Sequence, residues 1–189
     1  MDKKNYECLS HDLYTFEDIT IKTIEPDFIE KIRGWRNTQL DVLRQTNKIT
    51  KEEQSTYYEK NIWSDMGKTP KNILFGIFNK KALIGYGGLV NISWRDKRAE
   101  ISFLIDKTFS HYEHCEILKK FIKLLKQVAF DGLGVNKLWT ETYDQRTYHI
   151  QSLEDSGFKL EGILKEHYII DNAYVNSLIH GFTQKDIKV

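Results

Sequence analysis

The order of hydrophobic patterns from Lys97 to Phe182 constrains this chain more than any other feature. A period of two over 98–105 puts Ile101, Phe103 and Ile105 on one face of a strand, with Glu100, Ser102 and Leu104 on the other. Ser110-His111-Tyr112-Glu113 has the form of a capping box. Ile117, Leu118, Phe121, Leu124, Leu125 and Val128 then recur as an apolar stripe, which predicts a long amphipathic helix over about 111–132. Lys119, Lys120, Lys123 and Lys126 fall largely outside the stripe, as its solvated face. A strand over 137–143 and a short helix over about 145–155 follow, and Gly157-Phe158 opens a strand pair. Asp171-Asn172 marks the tight turn of that pair, between 166–170 and 174–182.

At 189 residues, 40% apolar and 13% aromatic, the chain is sized for one domain with a sizeable core. A net charge of +1 from 28 basic and 27 acidic side chains gives no broad footprint for nucleic acid or an anionic membrane. A small polar ligand or a protein surface is the partner expected instead. Cys8 and Cys115 are too few for a disulfide framework, and His111, His114 and Cys115 match no usual zinc spacing, so no metal is expected. No apolar run approaches the ~20 residues that span a bilayer, and Met1 to Tyr6 lacks the apolar stretch of a signal peptide. A reduced, cytoplasmic protein is the expectation.

In the N-terminal half, Ile19, Ile21 and Ile24 form a short strand-like run closed by Glu25-Pro26. Phe28, Ile29, Ile32 and Trp35 recur at helical spacing up to Arg36-Asn37, and Leu40, Val42 and Leu43 suggest a further helical turn. Thr50-Lys51-Glu52-Glu53 is a second capping box, opening a helix over 51–63. Strands are expected over 73–78 and 82–92 with Asn79-Lys80-Lys81 as the turn between them. Gly85, Gly87 and Gly88 in the return strand signal a bulge or the close approach of a ligand or another backbone. Nothing marks a domain boundary, so 1–189 is read as one domain, with 1–17 as an N-terminal extension.

Several short runs, in this order and spacing, resemble the GNAT-type N-acetyltransferases. They are Trp35-Arg36-Asn37, Ile49-Thr50-Lys51-Glu52-Glu53, Ala129-Phe130, Leu133-Gly134-Val135-Asn136-Lys137-Leu138 and Ser156-Gly157-Phe158. They are similar in particular to the branch of ribosomal-protein and nucleotide-amino-sugar N-acetyltransferases. The resemblance covers nearly the whole chain and implies a single α/β domain: a mixed, largely antiparallel sheet flanked by helices, with one splayed strand pair. It also implies acetyl-CoA as acyl donor, bound where the strand ending near Ile105 parts from the strand starting near Lys137. On this analogy Phe103, Leu104 and Ile105 hold the pantetheine, and His114, Cys115, Glu116, Ile117 and Leu118 at the helix start hold the pyrophosphate.

The chain departs from the family pattern at two places. The family's phosphate loop is an Arg or Gln followed by alternating glycines, whereas the aligned positions here include Glu113, Glu116 and Leu118, and no glycine lies between Gly88 and Gly132. In the short helix, a cofactor-contacting Asn and an acidic Tyr are replaced by Arg146 and Leu153. Arg146 retains the means to bind a phosphate or the pantetheine arm, and Leu153 cannot donate a proton.

Acetyl transfer to an amine needs a neutral nitrogen, a donor for the developing oxyanion and a route for the amine proton. Glu100 is the candidate base, its bland alternative being a surface partner for Arg98 or Lys97. Tyr143, Tyr148 and His149 are candidates for the missing acid. Among them His149 leads because the ordinary imidazole pKa of ~6.5 suits proton exchange near neutrality. Glu141 between Trp139 and Tyr143, together with Tyr86, Arg36 and Asn37, are candidates for acceptor contact, although each also fits a structural role.

The expected activity is therefore acetyl-CoA-dependent N-acetylation of a primary amine, on a nucleotide-linked amino sugar by resemblance to that branch. A protein N-terminus, a small polyamine-like amine, or a non-catalytic binding module of the same fold are the alternatives. The sequence leaves the oligomeric state open, a homodimer included.

Overall fold

The structure is a computed structural model and describes residues 5–43 and 45–187. Its strands are β1 (Leu13–Phe16), β2 (Ile19–Thr23), β3 (Ile73–Asn79), β4 (Ala82–Ser93), β5 (Arg98–Ile105), β6 (Lys137–Tyr143), β7 (Lys159–Ile170) and β8 (Ala173–Thr183). Its helices are α1 (Ile29–Asn37), α2 (Lys51–Asn61), α3 (His111–Lys126) and α4 (Thr147–Asp155). The strands form one sheet in the order β1-β2-β3-β4-β5-β6-β8-β7. Short turns join most neighbours and make them antiparallel. β5 and β6 are joined through α3 and run parallel, as a helical crossover requires.

Both capping boxes form. The Thr50 hydroxyl accepts from the Glu53 amide at 3.1 Å while the Glu53 carboxylate accepts from the Thr50 amide at 2.8 Å, and Ser110 and Glu113 repeat the exchange at the start of α3. The apolar stripe of α3 is buried, and the helix continues into a wider π-type turn over Gln127–Gly132. α4 ends in a Schellman turn: the Phe158 amide donates to the Leu153 carbonyl at 3.0 Å, and Gly157 takes φ +86°, which suits glycine. Asp171 and Asn172 both sit at positive φ in the β7–β8 turn, the backbone form that such a two-residue hairpin needs.

The expected N-terminal extension is instead part of the fold. Residues Leu13–Phe16 pair with β2 as an edge strand. Tyr6 is 2% exposed, and its hydroxyl accepts the Leu74 amide at 3.0 Å. Period-two patterning is too short over four residues to be legible, which is why this edge strand escapes a sequence reading. Residues 1–4 of that expected extension lie outside the described residues. The helical turn expected around Leu40 is a run of turns, closed by the Leu43 and Gln45 amides on the Leu40 carbonyl.

The glycines of β4 serve backbone approach. A Cβ on Gly88, at φ +155°, would lie 2.0 Å from the Ile73 carbonyl oxygen. One on Gly87 would lie 2.3 Å from the Ser102 carbonyl oxygen. Positions 87 and 88 are in regular register with β5; the irregularities of β4 fall beside Gly85, where Ile84 is the extra residue against β3, and between Val90 and Ser93 against β5. Gly88→Ala is therefore expected to cost about 3 kcal/mol or more, from backbone strain together with overpacking. A drop in Tm of less than about 3 °C would contradict this packing.

The sheet opens at its centre. β5 and β6 pair only through Arg98↔Lys137, Ala99↔Leu138 and Glu100↔Trp139. Beyond that point β5 stays with β4 as far as Ile105↔Gly85, while β6 follows β8 as far as Tyr143↔Ser177. The expected splayed pair is thus present, and Glu100 stands at its apex. Among the described residues no helix is long and apolar enough to cross a membrane.

Candidate active site

Three cavities meet around this opening. A cleft of about 190 Å³ is lined by Glu100, Ser102 and Phe103 of β5, Thr140 and Glu141 of β6, and Arg146 and His149 at the α4 end. A second cavity of about 130 Å³ runs on towards the start of α3, past Ile105, Lys107, His111 and Tyr148. Val42, Phe103 and Arg146 line both. On the other side lies a chamber of about 600 Å³ enclosed by α1, α2 and the loop between them, lined by Arg36, Gln45, Tyr57, Tyr58 and Tyr86. Val90 and Ser102 belong to both this chamber and the central cleft. The three spaces are therefore neighbours, with the cleft of Glu100, Ser102 and Glu141 between the other two.

Glu100 and Glu141 are the two carboxylates of the central cleft. Glu100 accepts from the Asn91 side-chain amide at 2.7 Å, which orients it from β4. Glu141 accepts from the Ser177 hydroxyl of β8. Tyr143 is buried beyond it and meets Tyr168 edge-on, so it is a packing residue of β6 and β7. Tyr86 is buried in the wall of the large chamber, where its hydroxyl accepts from Arg36 at 2.6 Å. Asn37 is spent elsewhere. Its amide brackets the Ile49 backbone with two 2.8 Å bonds, closing the loop between α1 and α2, and it does not line the chamber.

The positions expected for pyrophosphate need correction. α3 begins at His111, so residues 114–118 lie inside the helix and their amides serve its ladder; the His114 amide donates to the Ser110 carbonyl at 2.9 Å. Ile117 and Leu118 are in the core, Cys115 donates to the Tyr148 carbonyl, and Glu116 pairs with Lys119 at 2.5 Å. The amides at the true helix start are those of His111 and Tyr112, which have no partner among the described residues. Just before them the Thr108 and Phe109 amides are held by the side chain and carbonyl of Asp106. Backbone amides open to an anion at this helix start are thus those of His111 and Tyr112, with Lys107 beside them, and the residues expected from the family alignment fall about a turn further along.

Phe103, Leu104 and Ile105 do lie along the splayed edge and line the cavity leading to α3. The Ile105 carbonyl is already engaged by the Gln39 amide at 3.0 Å, a contact from the α1 end that no local motif announces. Arg146 stands at the N-cap of α4 between the two cavities. Its buried Nε has no hydrogen-bond partner among the described residues. An unpaired guanidinium nitrogen at this place suits an anionic ligand, because burying a charge without a partner is costly.

His149 is not the proton carrier that an ordinary imidazole would be. It is 5% exposed, its Nδ1 lies 3.1 Å from His114 Nε2, and both rings pack on Phe103. Burial foremost, then the charges of Arg146, His114 and His180, hold it well below the ordinary imidazole range. Burial, Arg146 and His111 hold His114 at about 4. The pair is neutral at pH 7, so His149 can offer or accept a hydrogen bond in the cleft without carrying charge. Burial also lowers His180, against the raising effect of Glu154.

These three imidazoles set an acid limit on the fold. The unfolded chain takes up their protons below about pH 6.5 while the native state does not until lower pH, so stability is whole above 6.5 and is lost as pH falls towards 4. His114, held at about 4, contributes on the order of 1.4 kcal/mol per pH unit in that window, and His149 and His180 act in the same direction. Urea unfolding at pH 7.5 and pH 5 is expected to show a clear loss at the lower value. Equal stability at the two values would mean that the rings are charged in the native state.

The comparisons with known proteins bear on the family and the fold. Comparison with curated proteins finds no match. Among solved structures, spermidine N-acetyltransferase from Vibrio cholerae, in complex with CoA and spermine, is similar at TM-score 0.79 and 19% identity, covering 89% of this chain and 97% of that one. A dodecameric form of the Vibrio cholerae enzyme in an intermediate state gives TM-score 0.75 at 19% identity over 89% and 95% of the two chains. A chimera of the Vibrio cholerae enzyme with hSSAT gives 0.79 at 19% identity over 92% and 100%. At such identities these likenesses speak for the fold. The model of the acetyltransferase (GNAT) domain matches residues 21–179, most of the sequence. The chain belongs to the GNAT acetyltransferase family and is an acetyl-CoA-dependent N-acetyltransferase.

Proposed function

We propose that this enzyme transfers acetyl directly from acetyl-CoA to the primary amine of a small molecule, within a ternary complex. The observation that carries the reading is the succession of three neighbouring cavities that share lining residues at the opening. The donor's pantetheine arm would lie along the freed edge of β5 past Phe103 to Ile105, with its phosphates near Lys107, His111 and Arg146. The thioester would reach the central cleft, and the acceptor would arrive from the side of the 600 Å³ chamber, past Val90 and Ser102, which line both spaces. A half-enclosed chamber of this volume fits a small molecule better than a protein N-terminus.

Glu100 is the base in this reading. It stands where the donor and acceptor paths meet and is steered by Asn91. It takes the ammonium proton, directly or through water, so that the neutral nitrogen attacks the thioester carbonyl. Glu141 supports the ammonium before transfer. Neutral His149, from the far wall of the cleft, supplies a hydrogen bond to the departing sulfur in place of the missing tyrosine. Several similar solved structures are spermidine N-acetyltransferases, which draws the acceptor towards simple aliphatic amines and gives the nucleotide-linked amino sugar no support. The test is incubation with acetyl-CoA and a panel of aliphatic amines, following free CoA and acetylated product by mass. CoA release without any N-acetylated product would defeat the reading.

A further inference from the structure

The chamber that receives the acceptor contains a cation without a counter-ion. Arg36, from the end of α1, donates to the Tyr86 hydroxyl at 2.6 Å and to the Gln45 side-chain oxygen at 3.0 Å. No carboxylate among the described residues pairs with it. The chamber's carboxylate, Glu53, spends one oxygen on the Thr50 amide in the α2 capping box, and exposed Lys48 adds a second cation at the rim. Tyr86 accepts from Arg36 and so has its own O–H left to donate. Tyr58, 2% exposed, shares the wall and has no hydrogen-bond partner for its hydroxyl among the described residues. A guanidinium and two phenol donors thus line one half-enclosed space, and the carboxylates Glu100 and Glu141 line the neighbouring cleft that shares Val90 and Ser102 with it.

We propose that the acceptor is an amine that also carries an acidic group, a carboxylate or a phosphate, which Arg36, Tyr58 and Tyr86 hold while the amino end reaches the Glu100 cleft. Charge sorting along the chamber orients such a molecule: cation at the mouth for its acid, carboxylates at the transfer point for its ammonium. A polyamine would place a second ammonium against Arg36 and Lys48. Desolvated cations repel there more strongly than in water, so the chamber selects against that class. Arginine suits the task because its planar fork bonds carboxylate or phosphate in pairs. The proposal rests on the acetyltransferase reading only for the direction from which the acceptor approaches.

The test is calorimetric, and so does not depend on turnover. The enzyme saturated with CoA is titrated with an ω-amino carboxylate, an aminoalkyl phosphate and an α,ω-diamine of equal chain length. One or both acids are expected to bind at least tenfold tighter than the diamine, and the tighter of the two names the acidic group. Arg36→Gln is expected to reduce that preference by about 10- to 150-fold, the loss of one charge-assisted contact. Tyr58→Phe, which keeps the packing, should reduce it by a smaller factor. Diamine binding as tight as either acid, or an unchanged preference in folded Arg36→Gln, would overturn the proposal. Tight binding of the acids with no acetyl transfer to them would defeat the transferase reading while leaving the chamber's preference standing.

Discussion

Glu100→Gln is expected to lower kcat by about 100- to 10,000-fold, the range that general-base help contributes, while the Kd for acetyl-CoA stays near that of the wild type. The amide keeps the shape and can still bond Asn91, so the fold at the apex of the opening is preserved. What disappears is the acceptor of the amine proton. The decisive readout is the pH profile. If Glu100 takes the proton, the variant regains part of its rate at high pH, where more of the amine is already neutral. A variant with an unchanged rate across the pH range would remove Glu100 from the mechanism and turn attention to Glu141, the other carboxylate of the cleft.

Arg146→Ala is expected to weaken CoA by about 10- to 150-fold, since a charge-assisted contact to phosphate is worth roughly 1.5–3 kcal/mol. Pantetheine lacking the phosphates should lose far less. The expectation follows from a buried guanidinium nitrogen without a partner among the described residues, at the junction of the cleft and the cavity leading to α3. Equal losses for the two ligands, measured by calorimetry, would show that Arg146 does not read phosphate. Neutralising Glu116 should do little, because that side chain lies a turn inside α3 and is already paired with Lys119.

The core architecture was legible because hydrophobic period and capping chemistry are local. The stripe of α3, both capping boxes and the Asp171-Asn172 turn follow from residues near one another in the chain, whereas the parting of β5 from β6 was expected only through the family resemblance. The site was legible only in part. Glu100, Glu141, Phe103 and Arg146 lie along the opening, where strand alternation and helix starts locate them.

What escaped depends on contacts between distant segments. Gln39 reaches the Ile105 carbonyl across 66 positions, and Arg36 reaches Tyr86 across 50. Asn37 looked like an acceptor residue at a helix end, yet its two bonds to Ile49 are a loop closure that no pattern displays. His149 looked like a proton carrier on its ordinary pKa, and only packing against His114 and Phe103 reveals that it is neutral.

The central claim is that the donor occupies the opening between β5 and β6 while the acceptor chamber stands on the other side of Val90 and Ser102. A crystal structure of the enzyme with CoA tests it most directly. The thiol is expected in the cleft beside Glu100 and Thr140, the pantetheine along Phe103 to Ile105, and the phosphates against Arg146 and the His111 amide, with the 600 Å³ chamber left free. CoA lying in the chamber between α1 and α2, or with its thiol outside the cleft, would contradict it.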